Sequence, residues 1–366
     1  MTRGFSLYLD ALRFGAAFVV LLSHFGYPRF TEGRWLWVRE LNLGSDAVVL
    51  FFVLSGLVIA FSAQTKDATL GHFAFNRLTR ILSVALPALV LGFVLDRIGA
   101  AQFPAIYAGP FYEAMPLGEQ LLRGLTFSNE WAGLEARLGS NGPYWSLSYE
   151  VAYYILFAIA FYCKGVMRLG LLAIGALLAG VNILLLMPSW LLGVWVWNRM
   201  QNRALPAGVV AWLMICLPPA CYVAALALGI PEVLRAITAE LLAPMPPHTL
   251  RFSDEFFWNG FVGLGFALHL LGCAAVMPDT AEDAQARMIR WLAGGSLSLY
   301  LMHYPLLQFL GPGLPKSGLA VIDDMLLLGI TLLACLAFAQ VFERTLRPQR
   351  AALQAILLRG RQAASF

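Results

Sequence analysis

The sequence predicts an all-α, polytopic integral membrane bundle of about ten transmembrane helices with both termini in the cytoplasm. Three observations carry this prediction. The 366 residues are 60% hydrophobic and only 13% charged, whereas a soluble domain is nearer half apolar and a quarter charged. Ten apolar stretches can be drawn, most of them about 18–25 residues long, the length that crosses a bilayer as a helix. Lys and Arg are also biased to one side of the alternating loops. With the N-terminus inside, fifteen of the 25 basic residues fall on the inner side and nine on the outer, with Arg13 inside a span.

The spans are placed near residues 6–26, 45–63, 80–98, 145–163, 168–187, 188–199, 206–228, 256–277, 291–310 and 319–342. The first, LYLDALRFGAAFVVLLSHFGY, is not a cleavable signal, because Asp10 and Arg13 break its apolar run and no small-residue cleavage site follows. The second carries Ser55 and Gly56 at mid-depth, small residues that suit close helix contact. The sixth, PSWLLGVWVWNR, is too short for a comfortable crossing and reads as a half-helix or a buried re-entrant piece. Two outer connections are long, 99–144 and 229–255, the latter with the turn-forming PMPPH. Each suits either a lid or acceptor rim, or a plain surface loop. Residues 1–342 form the transmembrane domain. The tail, 343–366, with Arg344, Arg347, Arg350, Arg359 and Arg361 among Leu and Ala, reads as an amphipathic helix on the anionic inner leaflet. The net charge of +4 follows from the loop bias and gives no reason to expect nucleic acid. The five cysteines lie in or at the ends of spans with no zinc-like spacing, so neither disulfides nor a metal site are expected.

Arg13 and His24 are eleven residues apart in the first span. Eleven helical steps make about three turns, so both share one face about 16 Å apart, with Asp10 close to the same stripe. Ionisable groups in a span are costly and point to function. Arg77 and Arg80, in the inner HFAFNRLTRIL segment, are spaced i, i+3. Two such guanidinium forks suit phosphate oxygens, although a basic flank of this kind also arises for topogenic reasons alone. Glu150 opens the fourth span at the depth at which His24 ends the first, so a carboxylate–imidazole dyad is expected, with Asp46, near the outer end of the second span, as the other candidate carboxylate. Tyr300 and His303 lie one turn apart in the ninth span, and a buried, hydrogen-bonded histidine is the plainer reading of His303. His72, His248 and His269 have no supporting context. No nucleophile elbow, HExxH, P-loop or dinucleotide fingerprint occurs in a credible setting, so any catalysis must take place in the bundle.

Taken together, five blocks resemble the acyltransferase family 3 membrane proteins, which O-acylate surface sugars. They are LDALR…H with Arg13 and His24, FFVLSG at 51–56, Arg77-x-x-Arg80, YWSLSYE ending at Glu150, and SLSLYLMHYPLL at 296–307. Their order extends from about residue 6 to 342. The resemblance implies a multi-pass enzyme of the inner (plasma) membrane that takes an acyl group, usually acetyl, from cytosolic acyl-CoA. It implies that Arg77 and Arg80 lie near the CoA phosphates, that His24 is the essential catalytic histidine and that Arg13 supports it or the donor. Asp10, Tyr300, His303 and Trp145 are expected to line the substrate, with Glu150 or Asp46 orienting His24. The expected partners are acetyl-CoA, a saccharide acceptor and the lipid bilayer, and a homo-oligomer is allowed. His24 either removes a proton from the sugar hydroxyl or is itself acylated first. A transporter or glycan flippase is the competing class.

Overall fold

The structure is a computed structural model that describes residues 1–243 and 250–345. Among these residues the fold is entirely helical. The principal helices are α1 (Arg3–Phe25), α2 (Leu43–Thr65), α3 (Leu70–Gln102), α4 (Leu117–Leu125), α5 (Trp145–Tyr162), α6 (Gly165–Ala179), α7 (Val181–Gln201), α8 (Gly208–Ala227), α9 (Ile230–Leu241), α10 (Phe256–Val276), α11 (Ala284–Ala293), α12 (Ser296–Gly313) and α13 (Ala320–Phe342). Seven of them, α1, α2, α3, α7, α8, α10 and α13, are long and apolar enough to cross a membrane.

Contacts at the helix ends set their directions. Thr2 Oγ1 donates to the Met277 carbonyl at 3.0 Å, so α1 starts where α10 ends. Tyr162 donates to the Asp67 carbonyl at 2.5 Å and Trp197 Nε1 to Gln64 Oε1 at 2.7 Å, so α2, α5 and α7 finish together, beside the start of α3. Glu343, just past α13, accepts the Ser298 N–H at 2.8 Å and so caps the start of α12. The side on which α1 starts is called basal below, and the side on which it ends, at Phe25, distal.

α2 lies at the centre, with 78% of its apolar window buried inside the protein, against 11% for α8. Glycine makes this packing possible. A Cβ at Gly56 would run into the Trp190 carbonyl, and one at Gly193 into the Val53 carbonyl and the Leu57 backbone nitrogen. The α2 and α7 backbones therefore touch through these small residues, which is how membrane helices gain contact without a hydrophobic drive between them. Gly193→Ala is expected to cost about 1–3 kcal/mol, since the atoms in its way are backbone and cannot swing aside. A thermal-unfolding midpoint unchanged from wild type would contradict this.

Helix-interior prolines leave carbonyls without their usual donor, and side chains fill two of these vacancies. His269 Nδ1 donates to Ile215 O at 2.8 Å, the carbonyl that Pro219 cannot serve. That assignment leaves His269 Nε2 to accept the Tyr8 hydroxyl at 2.6 Å, bridging α1, α8 and α10. Asn141 Nδ2 donates to Leu301 O at 3.0 Å, the carbonyl freed by Pro305 in α12.

Several sequence-based boundaries are corrected. The break expected near Pro188 lies instead at Gly180, which takes φ +87° and separates α6 from a continuous 21-residue α7. Pro188 sits inside that helix, so no short sixth segment exists. α3 spans 33 residues from Leu70, which puts Arg77 and Arg80 on the helix itself and not in a loop before it. The ninth stretch divides at Gly294–Gly295 into α11 and α12. The connection 99–144 contains α4 and the connection 229–255 contains α9. The PMPPH turn, His248 and nearly all of the basic tail, from 346 onward, lie outside the described residues.

Candidate functional site

Two adjoining groups of polar side chains occupy the middle of the bundle. The first lines a cavity of about 100 Å³ between α1, α2, α3, α5 and α12. Arg13, Arg77, Arg80, Glu150, Ser55, Tyr154 and Tyr300 supply its polar wall, and Phe51, Phe52, Val58 and Ile81 are among its apolar neighbours. Three guanidinium groups face one carboxylate, so the site favours an anionic occupant.

Each charge in it is held by its helix. Arg13 pairs with Asp10, one turn earlier, at 3.7 Å. Arg77 Nη2 donates to Ser62 Oγ at 3.0 Å and lies 3.5 Å from Asp67, while its buried Nε has no acceptor. Arg80 makes no ion pair among the described residues. Glu150 accepts Ser55 Oγ–H at 2.6 Å and the Tyr154 hydroxyl one turn along α5. Trp190 Nε1 in turn donates to Ser55 at 3.2 Å, fixing the acid through three helices. The basal rim is the start of α12, where Glu343 caps the amides of Leu297 and Ser298. Burial pushes the Glu343 carboxyl above the usual carboxylate range, opposed by its bond to Ser298.

The second group lies distal to the cavity. His24 Nδ1 is 3.0 Å from Val20 O and 2.9 Å from His303 Nε2, and His303 Nδ1 is 3.0 Å from Leu299 O. A carbonyl only accepts, so each Nδ1 carries a hydrogen when the rings are neutral. His303 Nε2 is then a lone pair that receives the His24 Nδ1–H. His24 is left with a lone pair at Nε2, which has no hydrogen-bond partner among the described residues. The ring is thereby oriented as a base. Tyr304 and His24 pack in a T-shaped pair with centroids 4.9 Å apart, and Tyr27 lies at 6.0 Å. His303 is wholly buried, and Asn141 supports its helix at the Pro305 break.

Tyr300 stands between the two groups. Its hydroxyl donates to Pro143 O at 3.1 Å and meets Ser146 Oγ at 2.6 Å, while its ring is 6.2 Å from that of His303. His24 itself does not line the cavity.

The expected pairing of Glu150 or Asp46 with His24 is not what the structure contains. Glu150 is taken up by Ser55 and Tyr154 near the middle of α2, deeper than the distal end of α1. Asp46 accepts Tyr222 at 2.6 Å and Trp258 Nε1 at 2.9 Å, tying α2 to α8 and α10. Trp145 stacks on Phe252 at 4.0 Å and is not in the cavity wall. The structure brings together Arg13, Arg77, Arg80, Glu150 and Tyr300, and separately His24 and His303. Tyr154, Asn141, Arg29 and Tyr304 join these groups without being singled out by the sequence, and Ser55, read there only as a helix contact, joins them too. Of them Tyr154, at i+4 from Glu150, has a local signal.

The segment 26–42 closes the distal side. Arg34 clamps Asp324 of α13 through two bonds of 2.7 Å, joined by Trp35 Nε1 at 3.1 Å. This strap carries Arg29 to Tyr304, whose hydroxyl accepts Arg29 Nη2 at 2.5 Å. Burial lowers the Arg29 pKa from its ordinary value, with Tyr304 opposing the shift.

An imidazole with one ring nitrogen unengaged among the described residues, beside a cationic cavity, is an arrangement suited to group transfer, and similarity to known proteins agrees. A family profile described as an acyltransferase domain matches residues 6–344. Acyltransferase MdmB of Streptomyces mycarofaciens is 30% identical over 155 residues, covering 41% of this chain and 38% of that protein. No solved structure matches the chain. With the profile covering nearly its whole length, the chain belongs to acyltransferase family 3, and it carries seven helices long and apolar enough to cross a membrane.

Proposed function

We propose that the protein transfers an acyl group, most simply acetyl, from cytosolic acyl-CoA to a hydroxyl of a lipid-linked or cell-surface saccharide. The observation that carries this reading is the placement of three arginines around a mid-bundle cavity directly basal to an oriented His24–His303 pair. The basal side is taken as cytoplasmic, from the excess of Lys and Arg in its loops. In this reading α5, α6 and α12 complete ten crossings of the inner membrane, with both termini inside.

Arg77 and Arg80 hold phosphate oxygens of the donor at the basal side, with Arg13 above them. The pantetheine arm extends distally through the cavity, past Tyr300, to present the thioester to His24. His24 Nε2 takes the proton of the attacking hydroxyl as the sugar oxygen bonds to the thioester carbon. The carbon–sulfur bond then breaks, and the CoA thiolate leaves with the proton returned from His24. Throughout, the His24 Nδ1–H stays on Val20 O and His303 Nε2, so His303 acts as a positioning residue.

His303→Phe removes that acceptor and is expected to lower kcat about 10–100-fold while leaving the donor KM near wild type, an effect of the size seen when a metal-bound histidine loses the group that orients it. A donor KM that rises in step with the loss would instead put His303 on the donor path. The reaction class is tested by incubating the purified protein with acetyl-labelled acetyl-CoA. Thioester consumption with label on a glycan supports acyl transfer. Glycan movement across vesicles without loss of thioester would make the protein a transporter.

A further inference from the structure

Two of the three arginines in the strap 26–42 have opposite fates. Arg34 finds two carboxylates, Asp324 and Glu32, and is satisfied by them. Arg29, five residues earlier and beside His24, has none among the described residues. Of its five N–H donors, Nη2 gives one to Tyr304 at 2.5 Å. Its Nε and Nη1, which hold three more, are buried and without an acceptor. The guanidinium carbon lies 3.7 Å from the Phe111 ring centre, 4.5 Å from Phe30, 4.9 Å from Tyr27 and 5.3 Å from Tyr304.

Aromatic faces favour a cation but leave its in-plane N–H groups without partners. Buried donors without partners are costly, and a purely structural strut would be expected to end on an acceptor, as Arg34 does. The surroundings add positive charge and do not neutralise it. The Arg39 guanidinium lies 3.6 Å from the Tyr27 ring centre and donates to Ser23 O at 3.2 Å, and Arg137 Nη1 reaches Phe111 O at 3.4 Å. None of Arg29, Arg39 and Arg137 has a carboxylate within ion-pairing distance among the described residues. The acids nearest in sequence to the cage, Glu32 and Glu113, are engaged by Arg34 at 2.9 Å and by the Arg137 backbone N–H at 3.1 Å.

We propose that Arg29 is an oxyanion subsite for the acceptor, so that the acylated saccharide carries a carboxylate or phosphate close to the hydroxyl that reacts. The distances fit such a role. Tyr304, which Arg29 holds, is the ring in the T-shaped pair with His24. An oxyanion on the Arg29 fork therefore sits one aromatic ring away from the base. Phe111, on the connection between α3 and α4, covers the guanidinium face, and the unpartnered N–H groups at Nε and Nη1 are the donors an oxyanion would take up. The inference rests on the acyl-transfer reading for the meaning of the site, but binding alone tests it.

The experiment measures binding of three small probes to the full-length protein in nanodiscs: methyl glucuronide, glucose 1-phosphate and methyl glucoside. At least one charged probe should bind about tenfold more tightly than the neutral one, as charge-assisted fork contacts give. A preference for the glucuronide identifies a carboxylate acceptor, and a preference for the phosphate identifies a phosphorylated one. Arg29→Met should level the three affinities. Arg29→Lys, which keeps the charge and loses the fork, should retain only part of the preference, and it serves where Arg29→Met fails to fold. Equal or absent binding of all three probes to wild type overturns the subsite, as does a charge preference that survives Arg29→Met. Charge-selective binding without any transfer from labelled acetyl-CoA keeps the subsite and removes the acyl-transfer reading. Transfer to neutral acceptors with no charge preference does the reverse.

Discussion

Replacing His24 with alanine is expected to lower acyl transfer by about 10²–10⁴-fold, the usual contribution of a positioned general base. The expectation rests on one ring nitrogen. His24 Nδ1 is committed to Val20 O and His303 Nε2 at 3.0 and 2.9 Å, which leaves His24 Nε2 as the basic lone pair facing out of the histidine pair. No carboxylate substitutes for it, because Glu150 and Asp46 are bound elsewhere. The fold should survive. Alanine strands the buried His303 Nε2 without its donor, at a cost of about 1–3 kcal/mol, and His24→Gln keeps a donor near that position where stability is a concern. Purified variant that is monodisperse in detergent yet retains more than about a tenth of wild-type transfer would remove His24 from the chemistry.

The second large effect concerns the donor. The double substitution Arg77→Met, Arg80→Met is expected to raise the KM for acyl-CoA about 10²–10⁴-fold, with each charge-assisted hydrogen bond to phosphate worth about 1.5–3 kcal/mol and kcat changed far less. Arg77 is also part of a basal network, and its removal has to be weighed against that. Asp67, fully buried, loses an ion pair at 3.5 Å but keeps Ser62 Oγ at 2.7 Å and Asn76 Nδ2 at 2.6 Å. The loop between α2 and α3 should therefore hold. An unchanged KM would return both arginines to the role of a basic helix flank.

The helical class and most of the spans are legible in the sequence because apolar runs of membrane length have one physical outcome. The boundaries that mislead are set by backbone features that periodicity does not register. Pro188 reads as a break, but a bundle can absorb a proline within a helix, and the turn is made by Gly180 at φ +87°. Arg77 and Arg80 look like a loop because they are charged, yet α3 simply extends basally past the apolar run to Leu70. The Arg13 and His24 spacing correctly puts both on one stripe of α1, facing two different polar groups. Depth is harder to read. Glu150 lies at the start of its helix, as His24 lies at the end of its own, and that pattern suggests equal depth. α5 follows directly on the 3₁₀ turn at Gly142–Tyr144, and Glu150, more than a turn into it, meets mid-helix Ser55 instead. The partner of His24 comes from His303, across 279 residues of sequence, a pairing no local pattern encodes.

In the proposed reading the donor path passes Arg13 at the middle of α1, and the acceptor meets His24 near the distal end, about 16 Å farther along the helix. The direct measurement uses proteoliposomes with the protein in one orientation, labelled acetyl-CoA supplied on one face and a saccharide acceptor on the other. Label should reach the acceptor only when acetyl-CoA is on the Arg77 face and the acceptor on the His24 face. Transfer that requires both substrates on the same face would contradict a donor path running through the cavity to His24.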